Sequence, residues 1–255
     1  MPNKVLLIDA LNLVRRIYAA VPDGDANALY ERTQGACQKM VRHHQVTHAI
    51  LVWDGKDSHH WRQQIYPDYK AHRSPMPEDL ASWLPKLMQC LDQIGVHSLT
   101  CDGIEADDVI ATLTTKLVAH QAHVVIASTD KGFVQLHSDQ VQQWNHFDQL
   151  WLDADYFSSR FNLPPERLLE FWSLAGDSGN GIPGITGIGA KSAQKLLSEH
   201  PIQTLFEEDV VPGKLGEKLR AGKTQAQTSY RLAKLRTELK LDARLNQYRL
   251  KGHGS

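Results

Sequence analysis

The chain of 255 residues is long enough for one large domain or two small ones with a buried core. Its 42% apolar and 22% charged residues are typical of a folded globular protein, which excludes a disordered tail, a collagen-like chain or a coiled-coil rod. The sequence contains no apolar run near the roughly 20 residues that a membrane-spanning helix needs, so we expect no membrane association and a cytoplasmic location. The three cysteines include no CxxC pair, which favours reduced thiols.

The charges are distributed unevenly along the chain. Residues 1–189 carry 15 Lys and Arg against 22 Asp and Glu, whereas residues 190–255 carry 13 against 7. This separation suggests an acidic site in the first part and an anion-facing surface in the second. A solvated basic helix face would give the same composition.

Short apolar runs alternate with amphipathic stretches through the first 150 residues. The runs predicted as buried strands are Lys4–Asp9, Thr47–Asp54, Gly95–Thr100 and His123–Ser128, with edge strands at Val141–Phe147 and Gln149–Asp153. The stretches with helical spacing are Ala26–His43, Glu78–Ile94 and Asp107–His120. This alternation predicts an α/β fold with a mainly parallel central sheet flanked by helices on both faces.

The pattern changes at about residue 160. The segments predicted beyond it are short helices separated by Gly and Pro, at Pro165–Ala175, Ala190–His200, Pro201–Glu207 and Thr224–Leu239. We therefore divide the chain into an α/β part, residues 1–160, and a helical part, residues 161–255, and expect them to form one domain in space.

Carboxylates cluster where the predicted strands end. Asp9 and Asp54 end the first two strands, Asp130 follows the fourth, and Glu105, Asp107 and Asp108 begin the helix that follows the third. If the strands are parallel, these side chains converge at one edge of the sheet, where α/β sheets bind their ligands. Taken singly, each has an ordinary explanation as a helix cap or a first-turn acid.

The acids are harder to explain as a group. Two unit charges about 4 Å apart repel by roughly 4 kcal/mol at an effective dielectric constant near 20, so either some are protonated or a cation lies among them. A set of oxygen ligands without Cys or His favours Mg²⁺, with Mn²⁺ as a substitute, and such sites typically serve phosphoryl chemistry.

Two further segments are candidates for binding an anion. Trp61–Arg73 interleaves cations with Tyr66 and Tyr69, which suits a polyanion with stacking bases but also an ordinary surface loop. Gly181–Ser192 is not a Walker loop, because Ala190 rather than Gly precedes Lys191. It is not a dinucleotide fingerprint either, because no strand leads into it. It is better explained as a glycine-rich hairpin between two helices, with free N–H groups near Ala190 for a phosphate.

These pieces together resemble the 5′→3′ exonuclease/flap endonuclease family. The matching segments, in order, are LLIDALNLVRR, VWDGK, YPDYKAHRSPMPEDL, GIEADDVIATL, STDKG and GIPGITGIGAKSA, and they cover nearly all of the chain. The resemblance implies a PIN-like flap-endonuclease fold with a basic arch at about residues 56–90. It also implies a C-terminal helix–hairpin–helix-like region that binds DNA.

The resemblance implies roles for individual residues. It gives Asp9, Asp54, Glu105, Asp107 and Asp130 as metal ligands, direct or through water, with Asp108 behind them. Lys70 and Arg73 match the gateway residues at the scissile phosphate, and Arg16 matches a helix arginine at the same phosphate. The positions implied to bind duplex DNA are Gly187, Ile188, Gly189, Ala190, Lys191 and Ser192, together with Tyr69.

The glycine loop of this family binds K⁺ through main-chain carbonyls. The corresponding residues here are Leu174, Ala175, Pro183, Ile185 and Ile188.

Two positions depart from the family pattern. Gly132 stands where the family has the second Asp of TDKD, and Asn180 stands at the second Asp of GDSSDN. The second metal site therefore keeps Asp130 and Asp177 and loses two carboxylates. Because a two-metal displacement needs both ions, the expected activity is reduced.

We therefore expect a Mg²⁺-dependent nuclease that cuts DNA near a 5′ flap, as a monomer, with any polymerase supplied in trans. The alternative is a protein that binds DNA junctions with little or no turnover. A small-molecule phosphohydrolase ranks last, because Leu11 occupies the position of its second acid.

Overall fold

A computed structural model of the protein describes residues 3–22 and 24–251. The chain divides into two compact units. The first consists of Met1–Ser58, Ser74–Leu152 and Arg236–Ser255, and the second of His59–Arg73 and Asp153–Leu235. In this division the segment His59–Arg73 belongs to the helical unit and the last part of the chain belongs to the α/β unit, whereas the boundary predicted at residue 160 stays a prediction.

The first unit contains a six-stranded sheet of order β3-β2-β1-β4-β5-β6. The strands are β1 (Lys4–Asp9), β2 (His48–Asp54), β3 (His97–Cys101), β4 (His123–Ala127), β5 (Val141–Asn145) and β6 (Leu150–Trp151). All neighbouring pairs are parallel except β5 with β6, which is antiparallel. The predicted fold class, a mainly parallel sheet flanked by helices, is confirmed.

The central strands are apolar because both of their faces are covered. Val5, Leu6, Leu7 and Ile8 of β1 are all fully buried, as are most residues of β2 and β4. Strands of parallel sheets are buried on both faces and therefore consist of continuous Val, Ile and Leu runs rather than alternating ones. This is why the sequence pattern located these strands to within two residues at each end.

The described residues form ten α-helices. They are α1 (Ala10–Tyr18), α2 (Ala26–His44), α3 (His60–Ile65), α4 (Glu78–Gln93), α5 (Ala106–Ala119), α6 (Ala154–Phe161), α7 (Leu168–Ala175), α8 (Ala190–Glu199), α9 (Gly213–Ala221) and α10 (Lys223–Ala233). None of the helices in this part of the chain combines the length and the apolar character that crossing a bilayer demands.

Several predicted helices differ from the observed ones. Helices α1, α3, α6 and α9 were not predicted, because none of them exceeds nine residues and a short helix shows little periodicity. The predicted helix Pro201–Glu207 contains only a 3₁₀ turn, Thr204–Phe206. The predicted helix Thr224–Leu239 ends at Ala233, because the chain then leaves the helical unit and joins the α/β unit.

The C-terminal segment packs along the first unit. The Thr112 hydroxyl of α5 donates to the carbonyl of Arg236, and the Lys116 ammonium donates to the carbonyl of Leu239. Farther along, the N–H of Leu250 donates to the carbonyl of Thr47 at the start of β2. This segment therefore holds α5, whose first turn carries the predicted metal-binding acids.

In the second unit, α7 packs against α8 and α10. A small apolar cluster of Tyr69, Ile182 and Leu232 joins the segment after α3 to the glycine loop and to α10.

Candidate active site

The carboxyl edge of the sheet gathers three of the predicted ligands. Asp9 and Asp54 are the last residues of β1 and β2, and Asp130 lies three residues after β4 ends at Ala127. Strands β2, β1 and β4 are neighbours, and the strand order reverses between β1 and β4. Parallel α/β sheets form their ligand sites at such a reversal, outside the carboxyl ends of the strands.

Asp9 is the buried acid at the end of β1. Only 7% of the residue is exposed, and its carboxylate accepts hydrogen bonds from the Ser128 hydroxyl (2.9 Å) and the Asn12 N–H (3.2 Å). Burial, with the charges of Asp130 and Asp54, raises the pKa of Asp9 to about 7 despite these hydrogen bonds. The charges of Asp130 and Asp54 thus act on the Asp9 carboxyl group, and a cation would relieve that repulsion.

Asp54 is tied to the start of α5. Its Oδ1 accepts the Ala106 N–H at 2.7 Å, so it caps the helix whose first turn contains the other acids. The next residue must be Gly55, because a Cβ there would lie 1.9 Å from the carbonyl oxygen of Cys101. Glu105 precedes α5 and is fully buried, whereas Asp107 is half-buried.

Asp108 has a different environment from its neighbours. It is fully buried, and its two carboxylate oxygens accept from the backbone N–H and from Nε of Arg236, each at 3.0 Å. Asp108 therefore anchors the C-terminal segment to α5, and its place behind the metal ligands stays a prediction.

Asp130 begins a short 3₁₀ helix, and its Oδ1 accepts the Gly132 N–H at 2.7 Å. Gly132 is one of the two departures from the family pattern. A Cβ at Gly132 would lie 3.1 Å from Asp130 Oδ1 and would meet nothing else except the same carboxyl group. The backbone there is not left-handed, so glycine is not required by conformation.

The acids of this edge suit a hard divalent cation by their chemistry. Within residues 3–22 and 24–251, no three His, Cys, Asp or Glu side chains stand in a finished metal-binding arrangement. The oxygens of Asp9, Asp54 and Asp130 are instead turned toward hydrogen-bond donors of the protein. All three are carboxylates, which Mg²⁺ and Mn²⁺ prefer, and burial, with the charges of Asp130 and Asp54, raises the pKa of Asp9.

Arg16 lies in the last turn of α1, the helix that Asp9 caps. Its side chain is exposed, with the guanidinium carbon 5.2 Å from the centre of the Phe147 ring. Arg16 is thus a solvent-accessible cation in the same unit as the carboxylate edge.

The predicted gateway cations lie in the second unit. Lys70 is 93% buried with a left-handed backbone (φ 54°), and its N–H donates to the carbonyl of Asn180. Arg73 is exposed, and its guanidinium donates to Asn180 Oδ1 (2.6 Å) and to the Gly179 carbonyl (3.3 Å). Both residues are thus attached to the loop that carries the second departure from the family pattern.

Asp177 belongs to the same loop. Its Oδ1 accepts the Gly179 N–H at 3.0 Å, and its Oδ2 accepts from the Asn180 amide at 2.7 Å. Asn180 therefore bridges Arg73 and Asp177, which a carboxylate at this position could not do because it has no proton to donate. The assignment of Asp177 to the metal set stays a prediction.

Two residues of the segment 61–73 are buried. Tyr69 is only 4% exposed and packs on Ile182 and Leu232, and its contact with DNA stays a prediction. Arg62 is 2% exposed, and its guanidinium donates to the carbonyls of Leu232 and Lys234 while lying 4.2 Å from the Trp61 ring centre. Both residues anchor α3 to the end of α10.

The glycine loop leads into α8 as predicted. The helix begins at Ala190 with Gly189 as its cap residue, and Gly187, Gly189, Ala190 and Lys191 are exposed. Ser192 is half-buried, whereas Ile188 is 3% exposed, so only the backbone of Ile188 can face a phosphate. The first N–H groups of this helix are therefore presented beside an exposed lysine.

The backbone of the predicted K⁺ loop is tightly packed. A Cβ at Gly184, whose φ is +65°, would lie 2.7 Å from the Leu174 carbonyl oxygen. That carbonyl accepts the Ile185 N–H at 2.8 Å, and the Ile185 carbonyl accepts the Ile188 N–H at 3.0 Å. Binding of K⁺ by the carbonyls of Leu174, Ala175, Pro183, Ile185 and Ile188 stays a prediction.

The sequence reasoning missed the groups that hold the acids in place. These are Ser128 and Asn12 at Asp9, and Arg236 at Asp108. Ser128 and Asn12 lie within three residues of a predicted ligand, which was the one local signal for them. Arg236 is 128 residues from its partner, and nothing in the local pattern points to it.

Two family models match successive parts of the chain. Residues 4–162 match the 5′–3′ exonuclease N-terminal resolvase-like domain, and residues 163–254 match the 5′–3′ exonuclease C-terminal SAM fold. Among curated proteins, Flap endonuclease Xni of Shewanella amazonensis is 47% identical over 251 residues, covering 97% of this chain and 98% of that protein. Flap endonuclease Xni of Shewanella pealeana is 45% identical over 252 residues, covering 98% of each.

Solved structures share the fold at lower identity. The T5 5′-exonuclease with bound zinc has a TM-score of 0.77 at 22% identity, covering 91% of this chain and 89% of that chain. A bacteriophage T5 flap endonuclease in a complex with DNA and metal ions has a TM-score of 0.73 at 21% identity with the same coverage.

Proposed function

Since the chain belongs to the 5′–3′ exonuclease family, we propose that it is a metal-dependent nuclease that hydrolyses DNA phosphodiesters near a 5′ single-strand/duplex junction. The observation that carries this proposal is the carboxylate edge, where Asp130 and Asp54 help to raise the pKa of a buried Asp9 to about 7. Negative charge accumulated in this way serves a cation-dependent reaction better than it serves folding.

The proposed cofactor is Mg²⁺, with Mn²⁺ as a substitute. The residues that would hold it, directly or through water, are Asp9, Asp54, Glu105, Asp107 and Asp130. A bound ion of this kind supplies a nucleophile from water at neutral pH and neutralises charge on the phosphoryl oxygens.

The basic side chains have the complementary role. We assign the contact with the scissile phosphate to Lys70, Arg73 and Arg16, following their match to the family segments. Positive charge stabilises the extra negative charge of a phosphoryl transition state, and a site with fixed donors does this without reorganisation. Arg73 suits this role because Asn180 and Gly179 fix its guanidinium while it stays exposed.

The glycine loop provides the proposed duplex contact. Its exposed backbone at Gly187 and Gly189, together with Lys191 at the start of α8, would bind the phosphate backbone without reading sequence. We further propose that the loop carbonyls bind K⁺. The protein would act as a monomer in the cytoplasm, with any polymerase supplied in trans.

A second candidate function is a junction-binding protein with weak or no catalysis. Two positions favour it: Gly132 offers no ligand, and the Asn180 amide is engaged between Arg73 and Asp177. With two carboxylates fewer, a second divalent ion would bind weakly, and the reaction would rely on one ion.

The experiment that separates the two candidates is cleavage of a labelled 5′-flap duplex in a titration of Mg²⁺. Asp107→Ala is the test variant, and Asp139→Ala, which removes an exposed acid from the same unit, is the matched control. We expect Asp107→Ala to abolish cleavage while flap binding is retained or strengthened, because the lost acid also repelled the phosphate.

Equal cleavage by wild type and Asp107→Ala would show contamination or a wrong site. Flap binding by wild type without any Mg²⁺-dependent cleavage would favour the junction-binding protein.

A further inference from the structure

Gln143 is a polar side chain buried within the sheet. It lies in the middle of β5 with 1% of the residue exposed, between buried Val141 and buried Trp144. An amide in such a place costs free energy unless its donors and acceptor are satisfied.

The Gln143 amide reaches the segment that follows β4. Its Nε2 donates to the carbonyl of Ser128 at 2.9 Å and to the carbonyl of Asp130 at 2.7 Å. Its Oε1 lies 3.1 Å from Nε2 of His137. The Gln143 amide thus holds the backbone carbonyls of both Ser128 and Asp130.

Ser128 and Asp130 both interact with the carboxylate edge. The Ser128 hydroxyl donates to Asp9 Oδ2 and accepts the Asp130 N–H at 3.0 Å. Asp130 supplies a carboxylate whose charge acts on Asp9. A shift of this backbone would therefore move one carboxylate and remove the donor from another.

The residue between them, Thr129, is held by the side chain of Asn12. Asn12 of α1 accepts the Thr129 N–H at 3.1 Å and donates to the Thr129 hydroxyl at 2.9 Å. With Asn12 and Gln143 together, residues 128, 129 and 130 each have a side chain bonded to their backbone.

We propose that Gln143 is a positioning residue for the divalent cation: through the carbonyls of Ser128 and Asp130 it sets the spacing of the Asp9 and Asp130 carboxylates. The inference rests on the proposed metal site. Partners that hydrogen-bond metal-binding groups tune the site, and their removal typically lowers metal affinity about 10–100-fold.

The test is Gln143→Leu, which keeps the volume and removes both donors. Calorimetric titration of the DNA-free protein with Mn²⁺ is expected to show an affinity about 10-fold weaker than that of wild type. In flap cleavage, the Mg²⁺ concentration for half-maximal rate rises by a similar factor while KM for DNA is unchanged. Thr33→Val, which removes another buried side-chain donor of the same unit, is the control and leaves the Mn²⁺ affinity unchanged.

A double-mutant cycle with Asp130→Asn tests the route of the effect. If Gln143 acts through Asp130, Gln143→Leu weakens Mn²⁺ binding much less in the Asp130→Asn background than in wild type. Equal effects in both backgrounds, or an unchanged affinity in a folded Gln143→Leu protein, would overturn the inference.

The proposed metal site is tested separately by Asp107→Ala. If that variant binds Mn²⁺ as wild type does, the site itself is wrong. If Gln143→Leu does not fold, Gln143→Met, an unbranched side chain of equal length, replaces it. Failure of both to fold would show that Gln143 is needed for the fold rather than for positioning, and would also overturn the inference.

Discussion

Replacing Arg236 by Leu should destabilise the α/β unit more than any other single change of an Arg or Lys in its C-terminal segment. The guanidinium Nε lies 3.0 Å from Oδ2 of Asp108, whose side chain is 0% exposed. The variant would remove the guanidinium from a buried carboxylate, whose Oδ1 would keep the backbone N–H of residue 236.

The magnitude follows from the burial of the two partners. Removing one partner of a buried ion pair costs about 3–5 kcal/mol, because the remaining charge is desolvated and unpaired. The Arg236 side chain is 31% exposed and the backbone donor remains, so we expect the lower end of this range, about 3 kcal/mol. In a protein of this size such a loss lowers Tm by roughly 6–12 °C.

Urea unfolding followed by tryptophan fluorescence measures this loss. Arg42→Leu, which removes an exposed arginine of the same unit, is the control and should change the free energy of unfolding by less than about 0.5 kcal/mol. The double variant Asp108→Asn with Arg236→Leu has no charge at position 108, so it should be more stable than Arg236→Leu alone. A loss below about 1 kcal/mol, or a double variant less stable than Arg236→Leu, would refute the anchoring role of this pair.

Three other outcomes are expected. Lys70→Ala should lower kcat far more than it raises KM, because it removes a contact made in the transition state; a rise in KM alone, measured in steady-state flap cleavage, would make Lys70 a general anchor. Duplex affinity should be higher in KCl than in NaCl at equal ionic strength if the Gly184–Gly189 loop binds K⁺. Counterion release treats the two salts alike, so it cannot produce such a difference, and identical binding curves would remove K⁺ from the loop. Burial, with neighbouring cations, lowers the pKa of His44 to about 4. As pH falls from 6.5, His44 therefore binds a proton in the unfolded chain but not in the folded chain. The free energy of unfolding should fall by up to about 3 kcal/mol toward pH 4. Urea midpoints of His44→Phe should depend less on pH over this window, and parallel curves for the two proteins would contradict the assignment.

The sequence by itself determined the strands whose residues are all buried. The strands β1, β2 and β4 are buried on both faces, so their apolar runs are visible without a structure. Once the strands were located, the acids at their ends were visible too. A parallel sheet places such residues at one edge. The match of both family models confirms the resemblance read from the motifs.

Only the tertiary structure decided which polar side chains belong to the interior. Tyr69 and Arg62 belong to a segment whose composition suggests DNA binding, yet both are buried against the end of α10. Asp108 follows Asp107 directly, but it faces Arg236 of a segment 128 residues away. Gln143 holds residues 128 and 130 through a neighbouring strand. Such contacts join residues far apart in the chain, whereas propensity and periodicity describe each residue by its near neighbours. The pairing of buried polar groups is therefore fixed by the packing of distant segments, and the sequence pattern carries no record of it.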